Sequence, residues 1–244
     1  MALPVGLAMY TVRDALAADL PGTCRAVADI GYTHAEVGPF GGHTTDDVVK
    51  ACQDAGLSVV ASHEMGLLGP EAPAVIEMLA DLGVPYAVQP WSNEADRTAE
   101  GYIATARRLA SLSTEKVTTL YHNHGFEFAD LGGGRTGWGT MFEESNVLGE
   151  LDSCWAELAG CDAAALLRAL AGRVPIVHLK DCSDFERKTL CEIGSGGMPV
   201  AAIARAAEES GAAYLLVEQD DNWIDGDPVK SARLSFEALG KMLP

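Results

Sequence analysis

VPIVHLKD at residues 174–181 is the stretch that decides the fold, because four apolar residues lead directly into His178. Two further runs have the same form: NVLGEL at 146–151 before Asp152, and AYLLV at 213–217 before Glu218. A short apolar run bounded by turn signals is typical of a strand buried on both faces. The sequence therefore predicts that Asp152, His178 and Glu218 lie at strand ends.

Short β-rich runs alternate with Ala- and Leu-rich segments of helical period along the whole chain, which indicates repeated βα units and a parallel sheet. The predicted strands are 5–9, 33–37, 57–61, 86–90, 116–121, 147–151, 174–179 and 213–218. The predicted helices are 21–30, 45–55, 71–82, 96–112, 137–145, 162–172, 198–210 and 228–241. Gly31, Gly56, Gly83 and Gly211 each follow a helical segment, as a left-handed C-terminal cap requires.

Eight βα units in 244 residues predict a single (β/α)8 TIM barrel with a closed parallel sheet, forming one domain over 1–244. The rival is a doubly wound open sheet, which normally has a Gly-rich nucleotide-binding turn after its first strand. Here that strand leads into MYTVRD at 9–14. Glycine runs at 132–134 and 194–197 lack nucleotide-binding spacing and are predicted to be mobile loops.

The charge and composition of the chain exclude several classes of partner. Seventeen Lys and Arg against thirty-five Asp and Glu give a formal charge of −18, which would repel a nucleic-acid backbone. No apolar stretch approaches the roughly 18 residues needed to cross a bilayer, and the N-terminus lacks the pattern of a signal peptide. We therefore expect no nucleic-acid or membrane partner, and a cytoplasmic location.

The six cysteines show neither CxxC nor zinc-ribbon spacing. Free thiols in a reducing compartment are the simplest interpretation. A catalytic cysteine is the less favoured alternative, for which Cys154 and Cys182 would be the candidates.

Closing the barrel would bring Asp152, His178 and Glu218 to one mouth, where they could bind one divalent cation (Mn, Co, Mg or Zn). Taken singly, each residue has a structural alternative: Asp152 caps a turn, His178 hydrogen-bonds within the barrel, and Glu218 pairs with Lys180. Taken together they favour a cation, because burying two acids at one mouth costs several kcal/mol without compensating charge.

The fifth strand ends in the polar run YHNHGFE at 121–127. His122 and His124 are predicted to point the same way, since side chains alternate along a strand. Two histidines on one face, followed by Glu127, favour a role as metal ligands or as general acids and bases. Lys180 would lie near His178 and either neutralise an oxyanion or phosphate, or form a salt bridge with Glu218 or Asp152.

Other polar and aromatic residues at predicted strand ends are candidates for substrate binding, with packing as the structural alternative. They are Tyr10, Arg13, Glu36, His63, Trp91 and Trp155. Aromatic faces cover the C–H surface of a sugar, and polar side chains orient its hydroxyls. Arg13 would also suit a carboxylate or phosphate.

Six segments together resemble the xylose-isomerase-like barrels, and YHNH..EF, LD..W and HLKD resemble their sugar phosphate isomerase/epimerase subgroup. The segments are MYTVRD at 9–14, YHNHGFEF at 121–128, ELDSCW at 150–155, AGRVPIVHLKD at 171–181, EIGSGG at 192–197 and VEQDD at 217–221. The family also includes ketose 3-epimerases, inosose dehydratases and endonuclease IV. Endonuclease activity would need more histidines and a basic groove, so we exclude it.

The resemblance implies one divalent cation bound by Glu, Asp, His and Glu from the fifth to eighth strands. Asp152, His178 and Glu218 match the last three of these ligands. The first position departs from the family, because HNH stands where many relatives have a Glu, so Glu127, His122 or His124 would be the first ligand.

The implied activity is isomerisation or epimerisation of a sugar, sugar phosphate or keto-sugar through an enediolate. Glu218 and Glu127, with His122, His124 and Lys180, would then be the catalytic groups. The first alternative is a lyase or dehydratase acting on a keto-sugar, 3-keto-glycoside or inosose. The second is a non-catalytic sugar-binding barrel, and a homo-oligomer is possible in either case.

Overall fold

Eight parallel strands close into a barrel, as the spacing of apolar runs predicts. The computed structural model describes residues 3–243, so the predicted domain ends at residues 1 and 244 lie outside the described part. The barrel strands are β1 (Val5–Ala8), β2 (His34–Val37), β3 (Ser58–His63), β4 (Tyr86–Gln89), β5 (Thr118–His122), β6 (Leu148–Asp152), β7 (Ile176–Leu179) and β10 (Tyr214–Val217). Each pairs with its neighbour in this order, and β10 pairs with β1 to close the barrel.

Helices cover the outside of the barrel, one or two after most strands. They are α1 (Arg13–Ala18), α2 (Leu20–Ile30), α3 (Thr45–Asp54), α4 (Ala72–Leu82), α5 (Ala99–Leu112), α6 (Gly137–Glu144), α7 (Ser153–Leu158), α8 (Ala163–Ala169), α9 (Val200–Glu209) and α10 (Pro228–Met242). Gly31, Gly56, Gly83 and Gly211 all have positive φ, which confirms them as helix-ending residues. Within residues 3–243, no helix combines the length and the apolarity that crossing a bilayer requires.

The structure contains two kinds of element that the sequence did not predict. The helices α1 and α7 have only six residues each, too few to show a helical period. An antiparallel hairpin of β8 (Asp181–Asp184) and β9 (Thr189–Cys191) follows β7. All six cysteines carry free thiols, as predicted.

The barrel interior has an apolar lower layer and a polar upper layer. The lower layer is formed by Val60, Ala61, Val88, Leu120, Ile176 and Leu216. Four of these lie two residues before an ionisable side chain at or just after the end of the strand: Ala61 before His63, Leu120 before His122, Ile176 before His178, and Leu216 before Glu218. Because side chains alternate along a strand, the same faces that fill the lower layer also point the ionisable groups into the barrel.

Candidate metal centre

Asp152, His178 and Glu218 converge at the C-terminal mouth of the barrel, and we call them the outer group. One potential ligand atom from each lies within 4.8 Å of the others. Asp152 and His178 are fully buried and Glu218 is 5% exposed. His178 Nδ1 lies 2.8 Å from Glu218 Oε2, while Asp152 accepts a hydrogen bond from Trp155 N and so begins α7. Three residues distant in sequence thus form one cluster.

Lys180 carries its ammonium into this cluster. Its Nζ lies 2.9 Å from Asp152 Oδ2 and 2.8 Å from Glu218 Oε2, and it donates to both carboxylate oxygens of Asp220 at 2.9 Å. Burial would lower the pKa of Lys180, but the three carboxylates together raise it well above its ordinary value. The carboxylates at this position therefore already surround a positive charge.

A second cluster lies deeper in the barrel and consists of Glu36, His63, His122 and Glu150, which we call the inner group. Glu150 Oε2 lies 2.8 Å from both His63 Nε2 and His122 Nδ1. Glu36 Oε1 lies 3.2 Å from His63 Nε2. His178 Nε2 approaches this group from above, 2.9 Å from Glu36 Oε2 and 3.3 Å from Glu150 Oε2. His178 therefore stands between the two groups.

Opposite charges hold Glu36 and His63 in their charged forms. Burial would raise the pKa of Glu36, but His63 and His178 lower it below its ordinary value. Burial would lower the pKa of His63, but Glu36 and Glu150 raise it to about 10. Burial does lower the pKa of His122 well below its ordinary value. A neutral imidazole with a free lone pair is the form that binds metals.

Several buried polar atoms in the two groups lack a hydrogen-bond partner among the described residues. They are Glu36 Oε1, Glu150 Oε1, Asp152 Oδ2 and His178 Nε2. Although His178 Nε2 is 2.9 Å from Glu36 Oε2, the two atoms are not aligned for a hydrogen bond. Asp152 Oδ2 has an ion-pair partner in Lys180 Nζ at 2.9 Å, and Glu36 Oε1 has one in His63 Nε2 at 3.2 Å. Glu150 Oε1 is left without a hydrogen bond, and a cation beside it would compensate the cost of its burial. The residues present thus fit a divalent metal ion.

His124 and Glu127, the other polar candidates near β5, face different surroundings. His124 borders the mouth, and its buried Nδ1 has no hydrogen-bond partner. Burial, reinforced by the Lys180 charge, lowers the pKa of His124 to about 4. The carboxylate of Glu127 is instead held by Tyr121 Oη at 2.7 Å and His124 N at 2.8 Å, and burial raises its pKa to about 7. The structure thus keeps Glu127 out of both clusters.

A cavity of about 620 Å³ opens above the outer group, within the usual range of small-molecule sites. Its apolar walls come from Tyr10, Phe40, Met65, Trp91 and Trp155, and its polar floor includes His63, His122, His124, Lys180, Glu218 and Asp220. The predicted residues Tyr10, His63, Trp91 and Trp155 therefore do line one cavity. Arg13 lies at its edge, with its guanidinium 4.1 Å from the centre of the Tyr10 ring.

Groups that would bind a phosphate have partners within the protein. Arg13 donates to the carbonyl oxygens of Tyr10 and Asp220. In the glycine run 194–197, Gly194 N and Gly196 N both donate to Asp181 Oδ2. In the run 132–134, two amides donate to Asp130 Oδ1. Each of these potential anion sites is thus filled by the chain's own oxygens.

Sequence reasoning missed Glu150 and Asp220. Glu150 lies inside the apolar run 146–151, where we interpreted the whole run as strand core. Its signal was the two-residue spacing to Asp152, which places both side chains on one strand face. Asp220 has the same spacing to Glu218. Burial raises the pKa of Asp220 to about 6, although Lys180 opposes this.

Comparison with solved structures places this architecture among known proteins. A sugar phosphate isomerase/epimerase from Parabacteroides distasonis is 20% identical, with a TM-score of 0.82 and full coverage of both chains. D-allulose 3-epimerase from a Methylomonas species, solved in complex with D-allulose, is 15% identical, with a TM-score of 0.68 and 99% of each chain covered. The probable 3-DHS dehydratase AsbF from Bacillus anthracis is 13% identical, with a TM-score of 0.70, over 98% of this chain and 99% of that one.

No protein-family model matches the sequence, and no curated protein matches it. The similarity to solved structures therefore establishes the fold. The chain has the fold of the xylose isomerase-like TIM barrels, which confirms at this level the resemblance seen in its motifs.

Proposed function

We propose that the protein is a divalent-metal-dependent isomerase or epimerase of a sugar or keto-sugar. The observation that carries the proposal is the outer group, three buried residues with metal-binding side chains, of which Glu218 also lines an aromatic-walled cavity. Three protein ligands with open positions are typical of a catalytic metal site, whereas structural sites are closed. Asp152, His178 and Glu218 would hold the cation.

A cation bound there would supply Lewis acidity, lowering the energy of negative charge that develops on a substrate carbonyl oxygen. The chain's own residues then handle the protons. Glu218 and His124 line the cavity just after β10 and β5, and both are unprotonated near neutral pH, so either can accept the proton from the carbon beside the carbonyl. Return of that proton to the former carbonyl carbon gives an isomer, and delivery of a proton taken up from water to the opposite face of the first carbon gives an epimer. The Lys180 ammonium stabilises the anionic oxygen in between.

We infer that the substrate carries no phosphate. Lys180 is bound by three carboxylates, and Arg13 is bound by two carbonyl oxygens. The amides of both glycine runs are occupied by Asp130 and Asp181. The acidic floor would also repel a phosphate dianion. A neutral sugar or keto-sugar stacked on Trp91 and Trp155 suits these walls better.

A lyase or dehydratase is the second candidate, and the unpartnered Nδ1 of His124 favours it. The same carbanion can expel a hydroxyl or glycosidic oxygen from the next carbon. The departing oxygen needs a proton, which can come from Lys180, or from His124 once it has accepted the proton from carbon.

Removal and return of metal tests the proposal. Protein stripped with a chelator is expected to lose turnover on a panel of keto-sugars, and added Mn²⁺ or Co²⁺ is expected to restore it. Turnover that is indifferent to metal would refute the proposal. Full metal loading without turnover on any substrate would instead support a non-catalytic sugar-binding barrel.

Proton NMR in deuterated water separates the two reactions. Deuterium at the carbon beside the carbonyl, with all oxygens retained, identifies an isomerase or epimerase. A deoxy or enone product identifies a lyase.

A further inference from the structure

The inner group combines four ionisable side chains that the proposed reaction does not use as ligands. Glu36, His63, His122 and Glu150 come from β2, β3, β5 and β6, so they link four strands across the barrel. Glu36 and Glu150 are at most 1% exposed, and His122 is 3% exposed. Glu150 lies two residues before Asp152, or about 6–7 Å deeper along the strand. The Glu150 carboxylate therefore lies beneath the outer group, while His63 and His122 reach the cavity floor.

The imidazoles of the inner group are packed around the two carboxylates. The rings of His63 and His122 have centroids 5.0 Å apart. Their nitrogens share one acceptor, Glu150 Oε2, at 2.8 Å each. His63 Nε2 is also 3.2 Å from Glu36 Oε1. Ligand atoms of His63, His122, Glu150 and His178 lie within 4.8 Å of one another, and Glu36 adjoins them through His63 and His178.

Glu150 Oε1 is buried and has no hydrogen-bond partner in the described structure. Glu36 Oε1 also lacks an aligned hydrogen bond, but it faces His63 Nε2 at 3.2 Å. An unpaired buried acceptor is destabilising because it loses its hydration, and more so when the group is charged. Such a cost in a layer of otherwise well-packed side chains indicates a missing electropositive partner.

We propose that the inner group is a second, closed metal site, in which His63, His122, Glu36 and Glu150 bind a divalent transition metal ion. Two imidazole nitrogens and two carboxylates are a donor set that suits Zn²⁺, Co²⁺ or Mn²⁺, whereas Mg²⁺ and Ca²⁺ prefer oxygen alone. His178 adjoins both groups, and we assign it to the outer ion. His122 Nε2 lies 4.0 Å from Asp152 Oδ2, so the two ions would be close neighbours.

The two sites would have different roles. The inner site has four protein ligands and no open position, which is typical of a structural ion. It would tie four strands together and place positive charge directly beneath the reacting carbonyl. The outer site would have three ligands, of which Glu218 lines the cavity. His63, 11% exposed at its side chain, lies between the cavity and the inner layer and gives a route of entry.

Metal stoichiometry of the full-length protein tests the inference. Chelator-stripped protein is titrated with Co²⁺ alone, and bound Co²⁺ per chain is measured by elemental analysis and by visible absorption. We expect two equivalents in the wild type. His63→Asn and Glu36→Gln should each bind one equivalent, at the outer site. Asp152→Asn should also bind one equivalent, at the inner site. His43→Asn, a change in a loop histidine that contacts the Leu16 carbonyl, should retain both.

The outcomes separate this inference from the proposed function. One equivalent that is lost in Asp152→Asn and kept in His63→Asn overturns the inner site and leaves the proposed function intact. One equivalent that is lost in His63→Asn and kept in Asp152→Asn supports the inner site and refutes the proposed catalytic cation. No bound Co²⁺ in folded protein overturns both. Circular dichroism of every variant establishes folding, and Glu150→Gln, which preserves side-chain shape, gives an independent loss of the inner ion.

Discussion

At the scale of single residues, Lys180 is the least expected feature of the site. A fully buried ammonium within 2.9 Å of three carboxylates is held by strong attraction, since little solvent screens the charges. It also occupies the side of Asp152 and Glu218 that a cation would approach. Lys180 therefore both assists the reaction and competes with the metal.

Lys180→Met is predicted to separate these two effects. Removing the ammonium should lower turnover about 100-fold or more, because the anionic oxygen loses its charged partner. It should also raise Mn²⁺ affinity about tenfold or more, because the carboxylates are freed. Isothermal titration and steady-state kinetics measure the two effects. Lys50→Met, which removes an exposed ion pair in α3, is the control, and weaker Mn²⁺ binding in Lys180→Met would contradict the account.

Glu127 is predicted to make the protein less stable as the pH rises. Its pKa is about 7 in the fold against an ordinary 4.5, so the folded chain holds a proton there that the unfolded chain has released. Stability falls between these two values as the pH rises. Relative to Glu127→Gln, wild-type stability should fall by about 2 kcal/mol from pH 5.5 to pH 8.

Urea unfolding at both pH values measures this difference. Glu115→Gln, at an exposed acid before β5, should change with pH as the wild type does. A pH dependence in Glu127→Gln identical to that of the wild type would show that Glu127 is already ionised throughout.

At the scale of elements, the segment after β7 is organised by one carboxylate. Asp181 accepts hydrogen bonds from the amides of Gly194, Gly196 and Met198. These bonds fix residues 194–198 against the hairpin of β8 and β9, beside the cavity floor. The glycine run predicted to be a mobile loop is thus tied down at both ends by Asp181.

Gly196→Ala is predicted to destabilise this segment. A Cβ at 196 would lie 2.3 Å from Asp181 Oδ1 and 2.5 Å from the Cys182 carbonyl oxygen, so the backbone would have to move. We expect a loss of about 1–3 kcal/mol in unfolding free energy. Gly240→Ala is the matched control, because its Cβ meets nothing within 4 Å in α10, and it should stabilise by up to about 1 kcal/mol. Equal melting temperatures for the two variants would contradict this interpretation.

The elements differ in how far sequence predicts them. Strands such as β7 are apolar on both faces and end at glycine- or proline-bounded turns, so their signal is local and strong. The hairpin at 181–191 reads DCSDFERKTLC, with no apolar alternation to reveal it. The convergence of Asp152, His178 and Glu218 followed from barrel closure. The pairing of Glu150 with His63 did not, because their 87-residue separation is bridged only by tertiary structure.

At the scale of the whole molecule, the barrel sets an apolar layer beneath a charged one. The net charge of −18 strengthens the electrostatic attraction of cations to the mouth. A metal that binds only the folded chain stabilises it by about 2.7 kcal/mol at 100 times its Kd. For a chain of this size, stripped protein should gain about 5–10 °C in melting temperature on adding saturating Mn²⁺.

Scanning calorimetry measures this gain, with NaCl of equal ionic strength as the control for screening. Asp152→Asn should show a smaller shift, because one ligand of the outer ion is lost. The same shift in wild type and variant would indicate binding at the acidic surface.

The most direct test of the account locates the metal. Crystals of the protein soaked with Mn²⁺ and a keto-sugar are examined by anomalous diffraction. We predict a peak at about 2.0–2.3 Å from Asp152, His178 and Glu218, with the sugar carbonyl oxygen beside it. Folded protein with no peak within reach of these three side chains would contradict the central claim.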